Sequence, residues 1–201
     1  MGTTPTYSWP YPESTDPVAN GAQDIEDLAL AVETTVSGLP AGQILQVVST
    51  TKSDTFSASV GGTSFTAVTG LSLTITPSSA SSTILLYGSV NGAWSLGNYM
   101  PYTAFRFTRG GSAVGVGDAA GSAKRITAHS SVPGSNWIGT LNASMMYLDS
   151  PATTSATTYA IEVWNLDNST QTIYVNKPAS ASTSSQYARS ISTIMALEVS
   201  P

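Results

Sequence analysis

The chain is 201 residues long, 41% hydrophobic and only 9% charged, with a net charge of −5 and no cysteine. Disulfides and thiolate metal sites are thereby excluded, phosphates are offered no basic footprint, and the composition is not that of a disordered chain. No apolar run reaches membrane-spanning length and no signal-peptide pattern opens the chain, so the expectation is a soluble, cytoplasmically made protein with no nucleic-acid partner and no membrane insertion.

The length suits one domain plus an appendage, and the pattern divides at residues 1–41 and 42–201. The first part opens with Tyr7, Trp9 and Tyr11 set among Pro10 and Pro12, a run that cannot be helical and favours an extended conformation. Asp16-Pro17 predicts a helix start, with Asp accepting from the first free N–H groups and Pro suited to the first turn. Val18, Ala22, Ile25, Ala29, Val32 and Val36 then recur at spacings of four and three, which puts all six on one helix face. Gly38 and Pro40 end it. That stripe fits an amphipathic helix lying on its own domain, or a short parallel bundle in which copies meet along the seam. Two of the six are Ala, and Asp24, Glu26, Asp27 and Glu33 give no interhelical ion pairs, so a bundle needs help from the rest of the chain.

From Gly42 onward short β-like runs are divided by Gly, Ser, Pro and Asn, and Ser and Thr are abundant, as on half-buried pleated faces. Ile44–Ser49, Phe56–Ser59 and Phe65–Thr69 come first. Leu71, Leu73 and Ile75 alternate with Ser72, Thr74 and Thr76, and Ile84–Val90 is continuous enough to read as a central strand. Phe105 and Phe107 alternate with Arg106 and Thr108 before a hairpin at Gly110-Gly111 into Ala113–Val116. Residues 117–133 read as irregular. Trp137–Leu148, Tyr159–Trp164, Thr172–Val175 and Ser190–Val199 are the remaining strands, with a turn over Leu166–Thr170. About ten strands without a second helix predict a mainly β protein, an antiparallel sandwich or jelly roll preceded by an extended segment and one short helix.

Chemistry has little support. His129 is the sole histidine and no GxSxG elbow accompanies it. Gly115, Gly117 and Gly121 lack the spacing and the βαβ context of a dinucleotide loop. The acidic residues are scattered, so no catalytic, metal or cofactor site is expected. Two loop-like stretches remain as candidates for surface recognition: Trp94, Tyr99 and Tyr102 in one, Lys124, Arg125 and His129 in the other. The alternative for the rings is a place in the core or a subunit interface.

The aromatic-Pro run, the Asp-Pro and the short Ala-rich helix resemble the N-terminal segment of tailed-bacteriophage virion proteins of the minor tail or fibre type. YLDSPATTSATTYAIEV (Tyr147–Val163) and STIMALEVSP (Ser192–Pro201) resemble blocks that close the β-rich heads of phage fibre and head-appendage proteins. The resemblance implies a virion surface appendage made in the host cytoplasm. It would be a homotrimeric tail fibre or tip, anchored to other virion proteins through Tyr7, Trp9, Pro10, Tyr11 and Pro12 and presenting its head to a host surface glycan. A capsid head fibre or decoration protein is the alternative; a carbohydrate-processing jelly-roll enzyme and a monomeric lectin-like module are the rivals from other classes.

Overall fold

The computed structural model describes residues 2–38, 42–62, 64–94, 102–131, 140–165, 170–179 and 187–201. It divides into two compact units, Met1–Ala41 and Gly42–Pro201.

In the first unit the aromatic-Pro run doubles back on itself. Strands β1 (Gly2–Thr3) and β2 (Pro10–Tyr11) pair antiparallel, Gly2 opposite Tyr11 and Thr3 opposite Pro10. The turn closes because Ser8 takes a positive φ of 56° and its N–H donates to the Thr4 carbonyl at 2.9 Å. Pro favours extended backbone on either side of a turn but does not forbid the turn, which is why the reading of one extended segment needs this correction.

A 3-10 turn over Val18–Asn20 leads into helix α1 (Gly21–Ser37). Asp16 does not cap it: its carboxylate accepts from the Glu13 N–H at 2.7 Å and holds the preceding turn instead, and the helix start has no side-chain cap bond. Gly38 closes the helix in right-handed backbone, its N–H donating to Thr34 O at 3.1 Å. Asp24, Leu28, Ala31 and Thr35, spaced by four, three and four, form the covered face of α1. There Trp9 Nε1 donates to Thr35 Oγ1 at 2.9 Å, with Tyr7 stacked on the indole at 5.1 Å between centroids.

The second unit is a two-sheet antiparallel β-sandwich. Its strands are β3 (Ile44–Lys52), β4 (Phe56–Val60), β5 (Thr66–Ile75), β6 (Thr83–Trp94), β7 (Tyr102–Arg109), β8 (Ser112–Val114), β9 (Ala128–Ser131), β10 (Leu141–Asp149), β11 (Thr157–Asn165), β12 (Gln171–Val175) and β13 (Ser192–Val199). One sheet runs β3-β13-β6-β12-β4 with β10 on the other edge of β6; the second runs β5-β11-β7-β8 with β9 also on β7. Between them lies one core, with Leu71, Leu73, Ile75, Phe105, Phe107, Tyr159 and Ile161 from the second sheet meeting Ile84, Leu86, Ile173 and Ile194 from the first.

Two runs read as separate strands, Phe65–Thr69 and Leu71–Thr76, are the single strand β5. Gly70 sits between them at φ 87°, opposite a register shift at Ala160/Glu162 of β11. Across the irregularity β5 advances five residues, Ala67 to Ser72, against two on β11, and the odd excess flips the alternation, so Val68 and Leu71 both point inward. The Gly110-Gly111 hairpin forms as expected, with φ of 55° and 83°. Residues 117–133 are not wholly irregular, because Ala128–Ser131 pairs with β7 as β9. The turn expected over Leu166–Thr170 lies outside the described residues except for Thr170, as do Trp137 and its neighbours up to residue 139.

Candidate interaction surfaces

The apolar stripe on α1 is uncovered. Val18 stands in the 3-10 turn before α1 and not on the helix, so five of the six seam residues belong to α1. Val18, Ile25 and Val36 are 97%, 66% and 57% exposed, Ala22 and Ala29 are exposed too, and only Val32 is half-buried. The N-terminal hairpin occupies the neighbouring face, where Trp9 meets Thr35, and leaves the stripe open. Of the five residues expected to anchor the chain, Trp9 and Pro10 are half-buried, while Tyr7, Tyr11 and Pro12 remain exposed.

The loop residues scatter. Trp94 ends β6 opposite Ile173, and Tyr102 begins β7 opposite Ser131; both are strand residues, whose side chains lie outside the described set. Tyr99 lies outside the described residues. His129 stands in β9 opposite Ala104, exposed, so it belongs to a strand and not to a loop. Strand pairing with β7 accounts for it, a partner some twenty residues away that no local pattern reveals.

Lys124 and Arg125 do share a site. They line a cleft of about 580 Å³ with Ser64, Phe65, Arg106 and Ser122. Arg106 of β7 and Phe65, just before β5, form the floor, and the β7–β11 register places Arg106 opposite Glu162. Arg106 Nη2 pairs with Glu162 Oε2 at 2.7 Å while its guanidinium lies 3.6 Å over the Phe65 ring. Phe65 in turn packs on Trp164 at 5.7 Å, and Lys124 Nζ stands 5.9 Å over the Trp164 ring. Arg125 Nε donates to the Gly117 carbonyl at 2.6 Å. Neither Lys124 nor Arg125 pairs with a carboxylate among the described residues. The result is a cationic cleft with an aromatic floor on an otherwise acidic chain. Sequence reading missed Arg106, Phe65 and Trp164; the alternation of Arg106 with Phe105 and Phe107 was the available signal. A second cleft, about 430 Å³, runs from Arg125 to Arg109, Tyr147 and Asp149, and its carboxylate is already held by Arg109 at 2.9 Å.

The two outer sheet faces differ. On the second sheet Ser72, Thr74 and Thr158 are exposed, Thr74 and Thr158 share a hydrogen bond at 2.8 Å, and the Arg106–Glu162 pair lies beyond them. On the first sheet the register aligns Val47, Leu197, Leu85 and Leu148 in one row across β3, β13, β6 and β10. Met195, Tyr87 and Met146 form the next row, with Ser49 at its end.

Among the described residues no group of three or more His, Asp or Glu is placed to hold a metal ion, and no helix is long and apolar enough to cross a membrane. No family model and no curated protein matches the chain. Among solved structures it aligns with the infectious bursal disease virus VP2 subviral particle at a TM-score of 0.31 and 11% identity, over 77% of this chain and 39% of that one. That likeness is too distant to carry a functional inference.

Proposed function

We propose that the chain is a non-enzymatic structural protein of a bacteriophage virion, a homotrimeric tail-associated fibre or tip. Its N-terminal unit joins copies to one another and to the particle, and its sandwich head meets the host surface. The observation that carries this reading is the open stripe along α1: Ile25 and Val36 on the 17-residue helix, and Val18 in the 3-10 turn that leads into it, are all more than half exposed. Water-exposed seams of this kind are stable when other helices cover them. The resemblance of the N-terminal and C-terminal blocks to phage fibre and appendage proteins supplies the virion setting and the threefold copy number. Neither cleft is given a catalytic role, since the first is lined by cations and hydroxyls and the second holds a carboxylate already engaged by Arg109 and Tyr159.

Light scattering on the purified protein at micromolar concentration tests the assembly: the expected mass is three times that of the chain, and a stable monomer overturns it. Antibody labelling of intact particles tests the place. Label at the tail supports the fibre or tip; label over the capsid favours a head fibre or decoration protein instead.

A further inference from the structure

The outer face of the six-stranded sheet has the character of an interior. Along β3, β13, β6 and β10 the outward positions are Val47, Leu197, Leu85 and Leu148, then Met195, Tyr87 and Met146 beside Ser49. A third row, Thr51, Thr193, Ser89 and Ser144, carries hydroxyls. No Asp, Glu, Lys or Arg stands in these three rows. Val47, Met146 and Leu148 are 56%, 69% and 53% exposed, and Ile44 and Leu45 extend the patch around the bulge at Glu198/Val199. The opposite sheet is the internal comparison, since its outer face bears hydroxyls and an ion pair and is made for water.

From these rows we infer that other copies of this same chain cover the apolar sheet face, packing the heads together about the assembly axis. The inference rests on the self-association proposed above and names a second surface for it. Four strands about 4.8 Å apart and eight residues long present roughly 500 Å² in projection, and the apolar rows with Ile44 and Leu45 fill the larger part of it. Two such faces meeting remove about 1,000 Å² or more, the size at which an interface becomes specific. A face without charge also suits a chain of net charge −5 meeting itself, because no like charges are brought together. An oppositely charged partner would find nothing on it to pair with. Three sheets about 19 Å wide set as a triangle leave an inscribed radius of roughly 5.5 Å, half the usual spacing of packed sheets, so the side chains fill the centre without a channel. The cationic cleft lies on the opposite sheet and then faces outward.

Oxidation of the full-length protein by dilute peroxide, read by peptide mass spectrometry, tests this. Met145 points into the core at 2% exposure and its neighbour Met146 points out, which gives a paired reference. In the assembled protein Met146 should oxidise as slowly as Met145. A multimer whose Met146 reacts as fast as free methionine overturns the inference while leaving self-association through α1 standing. A monomer overturns both readings if Met146 is open; if Met146 is protected in it, the face is covered from within one chain and the inference again fails. Ile25→Asp alone should leave a multimer held by the heads, and adding Met146→Lys with Leu148→Lys should release folded monomers. These two side chains are already more than half exposed, so the substitutions remove no core.

Discussion

The hydroxyl of Tyr159 donates to Oδ2 of Asp149 at 2.6 Å inside the sandwich. Tyr159 belongs to β11 of one sheet and Asp149 ends β10 of the other, so the bond ties the two layers. Arg109, at the end of β7, completes the cluster by donating Nη1 to both Asp149 oxygens at 3.1 and 2.9 Å. Burial, and then the facing carboxylate, hold the Tyr159 hydroxyl well above the usual tyrosine range. Tyr159→Phe should lower unfolding free energy by about 1.5–3 kcal/mol, the worth of one buried hydrogen bond to a charged group. Asp149→Ala should lower it further, by about 3–5 kcal/mol, because it leaves a buried hydroxyl unpaired and takes the carboxylate from Arg109 as well. Urea denaturation of the two variants checks the order; equal losses would mean that the carboxylate does not hold the sheets together.

Glu198 gives the fold a pH dependence. It is buried in β13, where Ser78 donates from both N and Oγ to Oε1, at 2.7 and 2.6 Å, and Gln46 Nε2 donates to Oε2 at 2.6 Å. Burial pushes the carboxyl upward, but these donors outweigh it and bring it from an ordinary 4.5 down to about 2. A depressed carboxyl contributes stability that is present above its unfolded value and lost as pH falls through the folded one. Wild type should therefore exceed Glu198→Gln by roughly 2–3 kcal/mol at pH 7, with the gap closing between about pH 4.5 and pH 2. Thermal unfolding across that window reads it directly, and a constant gap would place the effect in packing instead.

Much of the head was legible because its alternation is local. Leu71, Leu73 and Ile75 turn inward together, and Gly110-Gly111 makes the hairpin its composition demands. What was not legible depends on residues far apart in sequence. Asn176, at φ 62°, donates Nδ2 to the carbonyls of Lys52 and Asp54 at 2.8 and 3.0 Å and accepts from Ser192 Oγ at 2.6 Å. Nothing near it in the chain announces that hub. The run Ile84–Val90 shows a second limit. Its continuity marked a central strand, and β6 is one, between β13 and β10; yet the chain buries only one of its faces, leaving Leu85 half-buried and Tyr87 exposed. A sequence states that a face is apolar without stating whose surface covers it.

Asn176 also yields a prediction. Asn176→Ala strands the buried Lys52 carbonyl and the Ser192 hydroxyl, frees the Asp54 carbonyl and keeps a side chain at positive φ, so it should cost about 2–4 kcal/mol. Asn176→Gly relieves the backbone but not the lost bonds, and should recover only about 1 kcal/mol of that. Denaturation midpoints measure both losses; if Asn176→Gly instead recovered nearly the whole loss, the backbone, not the hydrogen-bond hub, would set the cost.

If the head recognises a host surface, the cleft of Lys124, Arg125 and Arg106 is the part of it built for an anionic group. Arg106 is locked by Glu162 and Phe65, which leaves Lys124 and Arg125 to meet a ligand. Lys124→Glu with Arg125→Glu should abolish competition by the purified protein against particle adsorption while lowering the melting temperature only slightly, because neither residue is buried and each gives up one local contact. Undiminished competition by the double variant would remove the cleft from recognition and return attention to the stretch holding Trp94, Tyr99 and Tyr102.

The hairpin before α1 has two faces with different tasks. Trp9 is spent inward, held by Thr35 on the helix, whereas Tyr7 and Tyr11 are 59% and 41% exposed. Large rings fixed on a short, Pro-braced turn lose little entropy when a pocket receives them. If the chain joins a particle as proposed, the outward rings are the surface it offers to another virion protein, and Trp9 is the brace that presents them. Tyr7→Ala with Tyr11→Ala should leave a folded assembly of unchanged mass that no longer joins particles. Trp9→Phe, which removes only the indole N–H donor, should lower incorporation partly by loosening the hairpin, seen as faster amide exchange at Thr4 and Ser8, whose N–H groups close the turn. Deleting residues 2–15 should abolish incorporation and expose the Asp24 face of α1 as well. Particles that take up the double tyrosine variant at the normal level would mean that the anchor lies elsewhere on the chain.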